Sequence, residues 1–346
     1  MKGRAMRWAI WAFLAPSAMA GAAGLSRQQA VDYLAMCERV WYNQAYYCRQ
    51  RSASFQSLDT IGQSRLFSHS VKLLALARGM YVDETITDSF VASSPDSQNG
   101  TWVRKREILS YNGSLSFHWR DYQNEGVVDG EGADAVYRNP DDVYRFYGYQ
   151  GRPLSLMIRD ADTFAWGEET ERIDGEECVK AVCDFKAGID GDGKNARFEV
   201  YLATQGALYP LRIIRYIDEG KGLKIACVWE SVKTIKNEKS RIWELVEGRY
   251  INPAAHVLHT LEILDRKPIA GALASPENFT LRFPADSKVL DRRQGKMLEN
   301  KHAAGVVHPE VSFLPSFLGA TYEQAKARMD QSYMNGWTPP WEEAGK

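Results

Sequence analysis

From about Ser64 to Pro284 the apolar and polar positions of the chain mostly alternate, in runs separated by short Gly-rich turns. A period of two puts successive side chains on opposite faces of a strand. A series of such runs is the pattern of a large antiparallel sheet wet on one face. The stretch Arg197–Tyr250 carries much of it. The expected strands are Ser64–Ala77, Met80–Thr87, Thr101–Tyr111, Leu115–Tyr122, Thr163–Ile173, Glu177–Lys186, Arg197–Ala203, Pro210–Ile217, Leu223–Ile235, Arg241–Tyr250, Val257–Leu264 and Phe279–Phe283. Arg78-Gly79 turns the first pair. Asn112-Gly113 and Asp174-Gly175 read as hairpin dipeptides, because Asn, Asp and Gly tolerate the positive φ that a type I′ turn needs.

Ahead of the strands the period changes. Ala30, Leu34, Cys37, Trp41, Ala45 and Cys48 recur at three and four residues, which makes one stripe of a helix from about Arg27 to Arg49. Ser26 and Gln29 have the spacing of a capping box, with Leu25 and Ala30 placed as its hydrophobic staple. A short helix is expected within Asp134–Phe146, interrupted at Asn139-Pro140, and another at Thr321–Ser332 with Thr321 as N-cap. From about Arg292 the character shifts to charge, Pro and scattered aromatics. The chain then closes on an extended Trp337-Thr338-Pro339-Pro340-Trp341 tail. The fold class is α+β, mostly β.

The first residues read MKGRAMRWAIWAFLAPSAMAGAAG. Lys2, Arg4 and Arg7 form a positive n-region, Trp8 to Ala15 a short apolar core, and Ala18-Met19-Ala20 a signal-peptidase site. Cleavage after Ala20 and a secreted or periplasmic location are expected. The apolar core is shorter than the roughly 20 residues that span a bilayer, and no later segment is long and apolar enough to be transmembrane. Without those three basic residues the net charge of −1 becomes −4. No basic face for nucleic acid stands out. The five cysteines are an odd number. On one helix Cys37 and Cys48 would lie about 16 Å apart, too far to bond. Cys178 and Cys183 fall on opposite faces of one strand. Connectivity with Cys227 stays open, and buried thiols are the default.

Compact catalytic motifs are absent. Asp190-Gly191-Asp192-Gly193-Lys194-Asn195 has a Lys where an EF-hand loop needs an oxygen ligand, and its Gly comes two positions early. His256 and His259, three apart on a strand, face opposite ways, and His118 stands between Phe117 and Trp119 on another. No G-x-S-x-G elbow, dinucleotide fingerprint or Walker loop occurs. No cofactor and no enzyme activity are expected. Aromatic residues make up 12% of the chain. So many rings on strands need either a packed core or a cavity for an apolar ligand.

Several short motifs, in order, resemble the LolA-like (lipoprotein-carrier) family, in particular its secreted planctomycete-type members. Ser52-Ala53-Ser54-Phe55-Gln56 is similar to the family's opening, and Tyr111-Asn112-Gly113 stands where many members have Y-D-G. Glu171–Val179 resembles its v-d-G hairpin, and Leu208-Tyr209-Pro210-Leu211-Arg212 its g-l-P-l-r run. Asn278–Pro284, followed by Asp291 and Gly295-Lys296, resembles its close. Tyr201-Leu202-Ala203-Thr204 lacks the usual Asp, and Ile242–Val246 replaces a w-f-P stretch. The resemblance implies a large antiparallel half-barrel sheet wrapped around the N-terminal helix and short helices. It divides the chain into a signal peptide (1–20), a half-barrel domain (21–298) and a C-terminal extension (299–346). It further implies a non-catalytic protein holding a lipid or lipidated protein in the concavity. The expected lining is Trp102, Trp119, Trp166, Tyr201 and Trp229, with Leu34 and Trp41 of the helix as lid. The alternative is an envelope structural or signalling protein with a filled core that binds another protein through its tail and sheet edges.

Overall fold

The computed structural model describes residues 25–42, 45–57, 64–77, 79–92, 100–130, 148–149, 152–186, 193–204, 208–220, 222–236, 243–269, 275–281, 283, 287–293 and 296–299. The signal segment, the Asp134–Phe146 helix, most of the Asp190–Asn195 loop and the tail with its Thr321–Ser332 helix lie outside them. The described chain is mostly β with mainly antiparallel pairing, as the alternation requires. It divides into two compact units, Met1–Trp41 with Asp142–Thr260, and Tyr42–Asp141 with Leu261–Lys346.

The first unit opens with helix α1 (Arg27–Tyr42). Its capping box forms in both directions: Gln29 N–H donates to Ser26 Oγ at 3.3 Å and Ser26 N–H to Gln29 Oε1 at 2.8 Å. A two-residue hairpin, β7 (Gly148–Tyr149) and β8 (Arg152–Pro153), leads into α2 (Leu154–Asp160). Six strands follow in sequence order as an antiparallel meander: β9 (Thr163–Ile173), β10 (Glu176–Phe185), β11 (Ala196–Ala203), β12 (Tyr209–Asp218), β13 (Leu223–Lys236) and β14 (Trp243–Asn252). Asp174 and Gly175 turn β9 into β10 with φ of +51° and +86°, the left-handed pair of a type I′ turn. Strand β15 (Val257–Pro268) carries the chain out of this unit.

The second unit holds β1 (Tyr46–Ser57), β2 (Ser64–Ala77), β3 (Met80–Ala92), β4 (Gly100–Tyr111), β5 (Ser116–Arg120) and β6 (Glu125–Asp129), each paired antiparallel with the next. Later β16 (Lys288–Asp291) and β17 (Lys296–Glu299) extend it at the β6 side. Several boundaries differ from the sequence pattern. Helix α1 ends at Tyr42, and Cys48 lies in β1. Tyr46 and Cys48 join an apolar cluster on one face while Tyr47 joins a second cluster on the other, so burial on both faces overrides the helical period. Phe279 ends a 3₁₀ turn, Pro276–Phe279, rather than starting a strand. Pro276 and Pro284 flank this segment, and neither can donate to a ladder. The chain then returns so that β16 runs parallel to β6, which makes the sheet mixed.

All five cysteines are buried and none forms a disulfide. Burial pushes the Cys183 thiol up to about 12, far from thiolate reactivity.

Candidate functional site

Register assigns each expected lining residue to a face, because directly opposed residues on paired strands share one. In the first unit one row runs Trp166, Ala181, Val200, Ile213, Trp229, Tyr250 across β9 to β14. The neighbouring row carries Phe164, Cys183, Phe198, Arg215 and Cys227 on the same face. Tyr201 belongs to the other face, in the row Lys180, Tyr201, Arg212, Glu230, Arg249. Tyr201 and Trp229 therefore do not line one surface. Lys180 and Arg212 lie over the Tyr201 ring at 5.8 and 5.9 Å, and its hydroxyl donates to Glu199. Burial first, and then the Glu199 carboxylate, raises that phenol's pKa. The row ends in a charged ladder, with Glu230 accepting from Arg212 at 2.8 Å and from Arg249.

The Trp166–Trp229 face is filled by the unit's own side chains. Tyr149 of the hairpin stacks edge-on against Phe198 at 5.1 Å and Trp229 at 5.5 Å, with Arg215 over its ring at 5.0 Å. Trp229 also meets Tyr250 at 5.1 Å. Trp166 packs edge-on against Phe164, and its Nε1–H donates to Leu25 O at 2.7 Å, just ahead of α1. Leu34 of α1 is fully buried. Polar bonds fix the helices as well. Arg27 donates to the carbonyls of Ile158, Arg159 and Ala161 at the end of α2. Glu38 accepts from the N–H and hydroxyl of Ser155 at the start of α2, which satisfies a donor the helix end leaves without a partner. Trp41's side chain lies outside the described residues.

In the second unit the row Arg49, Leu73, Glu84, Ile108, Trp119, Gly126, Val289 and the row Tyr47, Ala75, Val82, Ser110, Phe117, Val128, Asp291 share one face. Trp102 pairs with Phe90 on β3, and its side chain lies outside the described residues. Residues of an irregular segment, 276–281 and 283, cover this face. Phe279 and Phe283 are fully buried there, with Leu281 between them, and join the core of Tyr47, Val82, Phe117, Trp119 and Val289. Phe283 packs directly on Gly126: a Cβ there would lie 2.5 Å from the ring, so the ring would have to shift. The segment's backbone bonds among the described residues are local turns, Asn278 N–H to Ser275 O and Thr280 N–H to Glu277 O. Side chains of β4 and its turn hold it: Ser110 Oγ donates to Phe279 O, and Asn112 Nδ2 to Thr280 Oγ1 at 2.9 Å.

Toward one end the same face turns polar. Arg106 donates through Nε at 2.7 Å and through Nη2 to Glu84 Oε1, a nearly buried ion pair. Trp119 stands at the change from apolar to polar, with Arg106 over its ring at 5.8 Å. Its side chain is 8% exposed, and its buried Nε1 has no hydrogen-bond partner.

Of the seven expected lining residues, Leu34 and Trp229 are buried in the first unit, Trp166 is half-buried on the same sheet face as Trp229, and Tyr201 is on the opposite face. Trp119 falls in the second unit. Gly126, Phe283 and the Arg106–Glu84 pair escape a one-dimensional reading. The alternation of Phe279, Leu281 and Phe283 reads as a strand, and Arg106 sits in a short basic run. Among the described residues no group of three or more His, Cys, Asp or Glu could hold a metal ion. His256 sits in a turn with φ of +53°, and His259 stacks on Tyr250 at 5.5 Å. No helix among the described residues is long and apolar enough to cross a membrane.

No protein-family model matches the chain, and no curated protein matches it. Among solved structures, it is similar to a DUF1329 family protein from Desulfovibrio piger, with TM-score 0.39 and 12% identity over 72% of this chain and 97% of that one. It is also similar to a putative outer membrane lipoprotein-sorting protein domain from Vibrio parahaemolyticus, with TM-score 0.39 and 11% identity over 71% and 94%. An uncharacterized conserved protein from Thermus thermophilus scores 0.29 at 11% identity over 76% and 99%. These scores are low, and the functional reading rests on this chain's own residues.

Proposed function

We propose that the chain is a non-catalytic protein of the cell envelope that binds an apolar ligand, a lipid or the acyl part of a lipidated protein, on the covered face of the second unit's sheet. The observation that carries this reading is the cover itself. The apolar layer of Tyr47, Val82, Phe117 and Val289 lies under a segment whose described backbone bonds are local turns, and that segment plugs the layer with Phe279 and Phe283. An acyl chain can replace those rings at the cost of the two side-chain bonds that β4 and its turn make to the segment, Ser110 Oγ to Phe279 O and Asn112 Nδ2 to Thr280 Oγ1, and low-stability segments are the ones that open for ligands. Envelope location is read from the N-terminal Lys/Arg, apolar core and Ala-x-Ala pattern. In this reading Trp119 keeps a ligand-lining role, while Leu34 and Trp229 are core and half-buried Trp166 ties the sheet to Leu25.

Native mass spectrometry of the protein made in a periplasmic expression host tests it. The expected result is an intact mass above the denatured mass by that of a phospholipid or fatty acid. Identical masses, with no uptake of added lipid, would reject it.

The second reading, an envelope protein that binds another protein and has a filled core, is favoured by one feature. Leu223, Ile225 and Ile235 of β13 are 45%, 45% and 58% exposed, an apolar excess on one strand. Lipid-free masses, together with weaker partner capture after Ile225→Ser and Ile235→Ser, would support it.

A further inference from the structure

We infer that Trp119 reads the head group of the bound chain, donating its indole N–H to the ester or amide carbonyl oxygen of an acyl ligand. This rests on the apolar-ligand reading above and names the ligand's polar end. An indole has one donor and no acceptor, and buried Trp N–H groups nearly always find a partner. Trp166 shows the ordinary solution in this chain, with Nε1 bonded to Leu25 O at 2.7 Å. Trp119 has none, although it is more than nine-tenths buried. A buried donor left without an acceptor is costly, and a ligand oxygen placed there removes the cost on binding.

The surroundings select the chemistry. On one side of Trp119 lie Phe117 on the same strand face and Phe283 over Gly126, which suit an alkyl tail. On the other lies Arg106, already bonded to Glu84 through two nitrogens. The guanidinium charge is thus matched by a carboxylate, so the pair beside Trp119 carries no net charge, and the buried donor without a partner is the Trp119 N–H. A carboxylate or phosphate brought beside Glu84 would pay for desolvation without a cation to answer it. A neutral carbonyl needs only the single donor.

Trp119→Phe keeps a ring of similar shape and removes only the N–H. Displacement of the fluorescent probe N-phenyl-1-naphthylamine by methyl palmitate, palmitate and hexadecane separates the contributions. The expected result is methyl palmitate binding weakened about two- to tenfold in the variant, the range of one hydrogen bond, with hexadecane binding unchanged. In the unsubstituted protein the Trp119 indole N–H proton resonance should move downfield with methyl palmitate and stay in place with hexadecane. Unchanged methyl palmitate affinity together with an unmoved resonance would overturn the assignment and leave the apolar site standing. Loss of affinity for palmitate alone would overturn the carbonyl in favour of an anion. If the unsubstituted protein bound neither methyl palmitate nor hexadecane, the apolar-ligand reading would fall first.

Discussion

The two units cover their sheets in different ways. In the first, α1 and α2 lie in a lattice of directed bonds: Arg27 to three carbonyls, Glu38 to Ser155, and Trp166 to Leu25. Hydrogen bonds to charged groups contribute about 1.5–3 kcal/mol each, so lifting this cover breaks several strong contacts at once. In the second, a short segment covers the apolar layer with two locally bonded turns, three apolar side chains and two bonds between neutral groups, Ser110 Oγ to Phe279 O and Asn112 Nδ2 to Thr280 Oγ1. Hydrophobic contact is non-directional, and an acyl chain of similar area can take it over. On the proposed reading, anchoring by charged groups, more than the apolar layer itself, separates a structural cover from a displaceable one.

The strongest way to break that contrast is to empty the first unit's core. Trp229 contacts Tyr149 and Tyr250 and is nearly buried. Trp229→Ala should lower unfolding stability by about 3–5 kcal/mol, read by urea denaturation, while protein that remains folded keeps its lipid load in native mass spectrometry. Loss of lipid from folded Trp229→Ala would move the ligand to the first unit.

A smaller perturbation sharpens the contrast from the other side. Gly126→Ala puts a methyl 2.5 Å from the Phe283 ring. Overpacking of this kind costs about 1–3 kcal/mol. If the segment is the displaceable cover proposed above, Phe283 yields, and uptake of N-phenyl-1-naphthylamine in stopped flow should speed up. Destabilisation with an unchanged uptake rate would make the segment a fixed plug, and the two units would then be alike.

Much of this architecture was legible in one dimension. Alternation located β2, β4 and β9 to β15 closely, and the Ser26–Gln29 box and Asp174-Gly175 turn formed as their residue types require. What the sequence could not show is which side of each strand meets which cover. Tyr201 pairs through Arg212 with Glu230, the neighbour of Trp229, and residues one apart on a strand face opposite ways. The aromatics expected on strands therefore mixed Trp229 with Tyr201, which lie back to back. Trp119's buried, unpartnered N–H depends on neighbours from β4, β6 and the segment near Phe283, so no local pattern announces it.

The smallest effect expected is a pH response of opposite sign in the two units. Burial raises the Glu38 carboxyl above its ordinary 4.5, against the lowering pull of its bonds to Ser155. Its folded form holds the proton more tightly than the unfolded form. The associated stability is fully present below 4.5 and is lost as pH rises through the elevated pKa. His69 behaves in the reverse sense. Burial, and then the Arg51 charge, push it from 6.5 down to about 4, with Asp88 opposing. Its contribution is present above 6.5 and is lost as pH falls toward about 4. From pH 7 to pH 6 this shift removes at most about 1 kcal/mol. Mild acid should therefore firm the helix-covered unit and loosen the other. Thermal unfolding of Glu38→Gln and His69→Gln beside the unsubstituted protein measures it. The Tm difference from His69→Gln should shrink on going from pH 7 to pH 6, as the unsubstituted protein loses its advantage. That from Glu38→Gln should move in favour of the unsubstituted protein as pH falls. Parallel pH profiles for all three proteins would show that neither burial governs the response. The contrast between the units would then rest on their covers alone.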